Sequence, residues 1–517
     1  MPAHALHRSQ GPAIPRYARR RPELTPCYKI IQEHLSTFIA ERESEGRPLP
    51  DYVTQEFEAY LKCGIPAYGF LRLQCETCDE EKIVAFSCKR RGFCPSCCAR
   101  RQAEAAAHLV DEVLPLIPYR QFVLSFPIPL RYWLHSNRQL YAKVHAIVIG
   151  EIHRYYIDKA RREGIKDSDT MGPGSISFTQ RWGSALNLNP HMHVLCPDGV
   201  YTRVNGRASF RPAEAISDDE VATLVEAIAH KIMRFLQKKG YLSKDGDIVN
   251  NPLADEIFRD HDALSLATSS SIAGKIAFGP NAGKYVTRIG SGFGYGEEIP
   301  LIKGKRCASV NGFSMHANTS INTLQRDRLS QLIEYIARGP LSNERLQIRD
   351  DGKVVLQLKS KWADGTSHLL FTPGEFIEKL AALIPPPRSH LVRWAGVFAP
   401  NSPYRKEITL KPEAKKGFEF AEIEGGSGKR RKNHNWSKML ARVFKIDVLK
   451  CDCCSGKLRP ICAVTKSDSI RRYLKSVDID YEPPPRGPPR YSQDTFDFDT
   501  EKTAPSERGD SEPAWSD

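Results

Sequence analysis

The sequence predicts a multidomain α+β protein, a helical and cysteine-rich N-terminal part followed by a larger core of strands and helices. Three observations carry this expectation. Apolar residues recur at helical spacing ahead of a cysteine-rich segment, strand-like runs then alternate with long helical ones, and two C-x-x-C pairs lie between the two textures. The chain has 517 residues, room for roughly three domains that each bury a core.

Residues 1–27, including Arg19, Arg20, Arg21 and Pro22, mix Pro, His and Arg without periodicity and are expected to form a flexible basic arm. A helical zinc-binding domain is expected over 28–116, with helices over 28–43 and 52–61, a cysteine segment from Cys63 to Cys98, and an alanine-rich helix over 101–114. The core domain is expected over 117–350. There QFVLSFPIPL reads as a buried strand stopped by Pro127 and Pro129. A helix follows over 139–162, then two strands, SISFTQRW and the stretch around His191 to Leu195, then an amphipathic helix over 218–239. Helices between strands admit an α/β or an α+β core. Over 351–465 the sequence predicts a C-terminal region with a hairpin, VVLQLKSKW and SHLLFTP turning at Asp364-Gly365, a basic run at Lys429 to Lys432, and a second cysteine cluster. Residues 466–517, increasingly rich in Pro, Ser and acid, are expected to be mostly disordered.

Lys and Arg number 75 against 61 Asp and Glu, a formal charge of +14 and a pI near 9.1. An excess of that size concentrates polyanions, of which nucleic acid is the commonest, with membrane surfaces as the competing partner. No window approaches the roughly 18 apolar residues of a spanning helix, and the N-terminus lacks an apolar signal core, so a soluble cytoplasmic protein is expected. The 14 cysteines cluster in pairs within a long, unexported chain, which favours thiolate metal ligation over disulfides.

Cys75, Cys78, Cys94 and Cys97 form two C-x-x-C pairs at a separation that lets both close on one tetrahedral, structural Zn²⁺. Cys88 and Cys98 are further candidate ligands, and Cys63 is a candidate for a second site. Lys89, Arg90, Arg91, Arg100 and Arg101 surround the knuckles and are candidate phosphate contacts, the alternative being a solvated basic rim. Cys451, Cys453, Cys454 and Cys462 form the second cluster, whose one C-x-x-C pair cannot saturate zinc without help.

His191 and His193 flank Met192, and strand periodicity sends both imidazoles to one face. On an exposed strand the pair would be incidental. Inside the apolar run NLNPHMHVLCPDG it would carry a burial cost unless it gripped a divalent ion able to polarise and orient a phosphate. RDRLSQLIEYIARGP reads as a helix ending near Gly339-Pro340, with Leu329, Leu332, Ile333 and Ile336 as its buried stripe. Tyr335 falls off that stripe and shares the outer face with Arg328, Gln331 and Arg338. That is either an ordinary surface tyrosine or a nucleophile placed beside phosphate-holding guanidiniums. GPNAGKY is one residue short of a phosphate loop and lacks the final hydroxyl, so a turn is expected there.

Taken together, the motifs CGIPAYGFLRLQCETC with SCKRRGFCPSC, FVLSFPIPLR, QRWGSALNLNPHMHVLCPDGVY, GFSMHA, EYIARGPLSNERL, LVRWAGVFAPNSPYR and the final CDCC resemble the insertion sequence 91 family of HUH transposases and related common-region elements. The resemblance runs from about residue 28 to 464. It implies a zinc-binding N-terminal domain and an HUH-type nuclease domain with a small antiparallel sheet flanked by helices, hence α+β. It also implies nicking and joining of single-stranded DNA at element ends through a 5′-phosphotyrosine, in rolling-circle movement. In those terms Tyr335 is the nucleophile, and His191 and His193 hold Mg²⁺ or Mn²⁺. Gln180 is the candidate third ligand, with Gln331 and His316 as rivals. Gln331 and Gly339 occupy the positions four residues from Tyr335, so the chain resembles the single-tyrosine kind. The expected partners are single-stranded element ends and host replication proteins, with no membrane and no small-molecule substrate, at the bacterial nucleoid. An HUH replication initiator or relaxase, or a non-catalytic zinc DNA-binding regulator, remains the alternative.

Overall fold

A computed structural model of the chain describes residues 20–165, 171–244, 262–289, 304–410 and 450–490. The expectations for residues 1–19, for Lys429 to Lys432 and for 491–517 lie outside these.

Helix α1 (Pro26–Ser44) begins inside the expected flexible arm, because Thr25 caps it through the Tyr28 amide and Pro26 supplies a preset first turn. After α2 (Asp51–Lys62), β1 (Phe70–Cys75) and β2 (Glu81–Ala85) form an antiparallel hairpin around the first C-x-x-C. Helix α3 (Pro95–His108) then starts six residues earlier than its alanine run suggests, since Pro95 sits in its first turn, and it ends in a π turn over Leu109–Val113.

The core is one antiparallel sheet. Its strands are β3 (Tyr119–Ser125), β4 (Gly174–Trp182), β5 (Leu188–Pro197), β9 (Cys307–Val310), β10 (Phe313–His316) and β15 (Val392–Gly396), in the order β15-β4-β5-β3-β10-β9. A short β11 (Ser320–Ile321) lies beside β3. The two-residue period assigns side chains to faces. Leu124, Met192 and Val194 pack beneath α5 (Arg138–Arg162), reached through α4 (Ile128–Ser136), and α6 (Asp218–Lys238). Ile176, Phe178 and Leu195 turn the other way, onto α8 (Arg326–Ala337) and the π turn. Arg120 of β3 pairs bidentately with Asp198, at 3.0 and 2.7 Å, and Asp198 also accepts from Tyr156, so this buried charge is fully engaged.

Around the core, β6 (Gly199–Val204) and β7 (Arg207–Pro212) make a separate ribbon. A second sheet runs β12-β13-β14-β8, from β12 (Leu346–Ile348), β13 (Val354–Gln357), β14 (His368–Phe371) and β8 (Thr287–Ile289). The predicted hairpin is there, with Gln357 opposite His368 and Gly365 left-handed in the turn. GPNAGKY forms a turn with Gly279 and Gly283 at positive φ.

Elements on both sides of residue 350 pack together. Helix α9 (Pro373–Leu383), opened by a capping box between Thr372 and Glu375, shares one apolar core with α1, α2, α7 (Asp262–Ile272) and β12 to β14. Beyond it β15 completes the central sheet, followed by the short α10 (Arg405–Ile408). The tail is likewise more ordered than its composition suggests. Strand β16 (Leu458–Val464) adds to β1, and α11 (Ser467–Ser476) lays Ile470 and Leu474 on Phe70. An ion pair from Arg486 to Glu58 at 2.5 Å then holds the chain against α2. Apolar residues at i and i+4 supply the docking face that the acidic, Pro-rich average conceals. Among the described residues no helix is long and apolar enough to cross a membrane.

Candidate active site and cysteine centres

Strand β5 brings His191 and His193 to the sheet face that α8 covers, their rings 4.9 Å apart. Helix α8 buries Leu329, Ile333 and Ile336 against the sheet and leaves Tyr335 half exposed on its flank. The Tyr335 ring stands edge-on to His193, centroids 6.2 Å apart and planes at 85°. Two cations approach the phenol ring, Arg338 with Cζ 4.3 Å from the centroid and Lys359 with Nζ at 5.5 Å. Arg328 and Gln331 remain exposed on the same helix.

The imidazoles are buried, and each has one ring nitrogen engaged. The Asn189 carbonyl accepts from His191 Nδ1 at 2.7 Å, which leaves the Nε2 lone pair free. The Gln121 amide nitrogen donates to His193 Nδ1 at 2.7 Å; the same amide turned over, with its oxygen accepting there, would give His193 the tautomer of His191. Burial lowers the pKa of His191 and pushes His193 down to about 3, the neighbouring imidazole and Arg338 adding to the latter. Both rings are therefore neutral near pH 7. His193 Nε2 is buried without a hydrogen-bond partner, an orphaned ring nitrogen that a cation would cover in place of a proton. Among the described residues no Asp, Glu, Cys or further His joins the pair, so an ion held there would need amide, water or phosphate oxygens to complete its shell.

Gln180 lies directly opposite His191 on β4. Its amide nitrogen donates to the carbonyls of Tyr335 and Ile336, at 3.2 and 2.9 Å, so it ties the tyrosine helix to the sheet and keeps only its oxygen for a ligand. His316 shares the face of His193 but sits beyond β3, two strand spacings or about 10 Å away. Gln121 and Lys359 were not singled out from the sequence. The strand alternation that pairs Gln121 with the His193 face is the one local signal that could have found the first.

The cysteines regroup. Cys75, Cys78, Cys94 and Cys97 do not converge as one set of four. Cys94 and Cys97 join Cys63 and Cys88, while Cys75 and Cys78 join Cys451 and Cys454, each group with its sulfurs within 4.8 Å of one another. Sulfur separations of 3.3 to 3.7 Å recur in both, near the roughly 3.8 Å that tetrahedral Zn–S bonds of about 2.3 Å require. Backbone amides donate to the sulfurs of Cys63, Cys75, Cys451 and Cys454, the pattern of a knuckle turn. The Thr77 amide is the first cause that lowers Cys75 to about 6. Hydrogen bonds from Cys63, Cys88 and Cys94 lower Cys97. Gly456 is wedged where a Cβ would lie 3.0 Å from the sulfurs of Cys75 and Cys454, so that loop is shaped around the quartet. Cys453 and Cys462 are exposed and outside both groups.

Cys98 is no ligand in this arrangement. It packs against Gly339, just past α8, where a Cβ would lie 2.5 Å from that of Cys98. Thus α3, which carries Cys97 and has Cys94 at its N-cap, abuts the end of the tyrosine helix. Of the basic residues around the knuckles, Arg100 pairs with Glu104 and Arg101 donates to the carbonyls of Lys89 and Arg90. Arg91 reaches the Ser389 carbonyl, Arg90 is half buried, and Lys89 is exposed.

Two family models match this chain. Residues 174–406 match Y2_Tnp, a transposase family, and residues 30–126 match Zn_Tnp_IS91, the transposase zinc-binding domain. No curated protein and no solved structure matches the chain. The first match spans β4 to α10, and with it both histidines and Tyr335; the second spans α1 to β3, with six of the eight clustered cysteines. An N-terminal zinc-binding domain followed by a transposase domain, in an α+β chain, makes this protein a member of the insertion sequence 91 family of transposases.

Proposed function

We propose that this transposase cuts and rejoins single-stranded DNA at the ends of its element through a covalent link to Tyr335, in the manner of HUH nucleases. The observation that carries the reading is the convergence of Tyr335 and His193 at 6.2 Å across the α8–β5 interface. The phenol oxygen forms a bond to the scissile phosphorus, the bond to the 3′ oxygen breaks, and that oxygen leaves protonated as a free 3′-hydroxyl. Joining is the reverse attack by a 3′-hydroxyl, which suits rolling-circle movement. Arg338 and Lys359 offset charge on the phosphate as it is attacked. His191 and His193 would hold Mg²⁺ or Mn²⁺, with the Gln180 oxygen as candidate third ligand, and the ion would polarise and orient the phosphate.

Each cysteine quartet would hold one structural Zn²⁺, closed to substrate because all four positions are thiolate. Lys89 and Arg328, both exposed, are the leading candidate DNA contacts. A purely DNA-binding regulator would leave the orphaned His193 Nε2 and the cation-flanked tyrosine without a task.

The test is incubation of the full chain with Mn²⁺ and labelled element-end single strands, followed by denaturing electrophoresis and peptide mapping. A DNA adduct on the Tyr335 peptide is expected, and Tyr335→Phe should abolish it while leaving DNA affinity within about twofold, since one oxygen is lost. An adduct retained in Tyr335→Phe would move the nucleophile elsewhere.

A further inference from the structure

Strand alternation that turns Gln180 towards Tyr335 turns Thr179 and Arg181 to the opposite face of the sheet, beneath α4 and α5. A cleft of about 350 Å³ opens there, within the size range of small-ligand sites. Tyr52 of α2, Tyr141 of α5 and the consecutive Pro386 and Pro387 give it flat apolar walls, and Arg181 and Arg393 supply charge. None of its lining residues is Asp or Glu. Pro190 also lines it, immediately before His191 in the chain, so the cleft adjoins the histidine end of β5.

The polar atoms here are unusually poorly satisfied. Arg181 is 6 % exposed, donates to the ring of His135, and forms no ion pair among the described residues; its Nε has no partner. Tyr52 Oη and Arg393 Nε, from two other segments, are also buried without partners. Burial holds His135 neutral and lowers Arg181 only to about 10, so the guanidinium stays charged near neutral pH. A buried guanidinium without a counter-ion is costly, and a bound anion removes that cost. Guanidiniums match phosphate oxygens bidentately, and aromatic and prolyl walls accept the face of a base.

We propose that this cleft is a subsite for one unpaired nucleotide of single-stranded DNA, its phosphate on Arg181 and Arg393 and its base against the aromatic and prolyl walls. The assignment of single-stranded DNA rests on the function proposed above. A bare anion would need only the guanidiniums, whereas the flat apolar walls suit a base.

The test uses full-length Tyr335→Phe protein without divalent ions and reads binding by calorimetry and thermal shift with thymidine 5′-monophosphate, thymidine and inorganic phosphate. Thymidine monophosphate is expected to bind and raise the Tm more than phosphate or thymidine. Arg181→Met should weaken it about tenfold or more, through loss of a charge-assisted pair. Arg393→Gln, at the half-buried rim, should weaken it in the same direction and guards against a folding defect in the first variant. No binding by the parent, equal binding by both variants, or phosphate binding as well as the nucleotide would each overturn the proposal. Because these probes need neither nucleophile nor metal, failure of the adduct assay and failure here are separate results.

Discussion

The imidazole of His193 and the phenol of Tyr335 stand perpendicular across the seam between β5 and α8, centroids 6.2 Å apart. Each orientation is set locally, but the meeting is not. The strand period aims one, the apolar stripe of α8 rolls the other to the flank, and Gln180 fixes the end of that helix through two carbonyls. One phosphorus could be reached from both groups.

Metal affinity should depend on the amide behind His193. Gln121→Leu removes the partner of Nδ1 and is expected to weaken Mn²⁺ binding about 10- to 100-fold, read by calorimetry or electron paramagnetic resonance on the DNA-free protein. His193→Ala should weaken it further with the fold retained. Unchanged affinity in Gln121→Leu would mean that the amide does not orient the ring.

Metal content distinguishes the two sulfur quartets. The purified chain is expected to carry two zinc ions, one per quartet, and Cys454→Ser should lower the count to one. Cys453→Ser and Cys462→Ser, at exposed positions outside the quartets, should leave it at two, and elemental analysis reads each case. A count unaffected by Cys454→Ser would dissolve the second centre.

Gly339→Ala should disturb Tyr335 without touching it. The added Cβ would lie 2.5 Å from that of Cys98, so α8 and α3 must part, costing about 1–3 kcal/mol of stability. A lower Tm with slower adduct formation is expected. Wild-type values for both would show that the contact relaxes freely.

Asp198→Ala strands the buried Arg120 guanidinium, which Asp198 grips with both oxygens. Breaking one partner of a buried pair costs about 3–5 kcal/mol, so the urea midpoint should fall sharply. A change under 1 kcal/mol, roughly the worth of an exposed pair, would mean that water replaces the carboxylate.

Periodic features were legible in the sequence. The outward position of Tyr335, the shared face of the two histidines, the buried strand ahead of Pro127 and the hairpin at Gly365 all follow from spacing. Partnerships across long separations were not. Spacing alone put Cys75 with Cys94, because a C-x-x-C pair carries no record of which other pair it will meet. The addition of β16 to β1 decides that, and it joins residues almost 400 positions apart. The places of β15 and α9 were hidden for the same reason, since both are recruited by non-local packing. The start of α1 was missed through a cap, Thr25 before Pro26, hidden among arginines and prolines.

The sulfur quartet that unites Cys75 with Cys454 constrains the order of assembly. The ribosome adds about 5–20 residues per second, and 379 positions separate these cysteines, so the first pair waits roughly 20–75 s for the second to emerge. The Cys63 quartet can close early, within the nascent chain. Its companion can form only when translation has nearly reached the far strand, which makes it a late checkpoint that shortened products never pass.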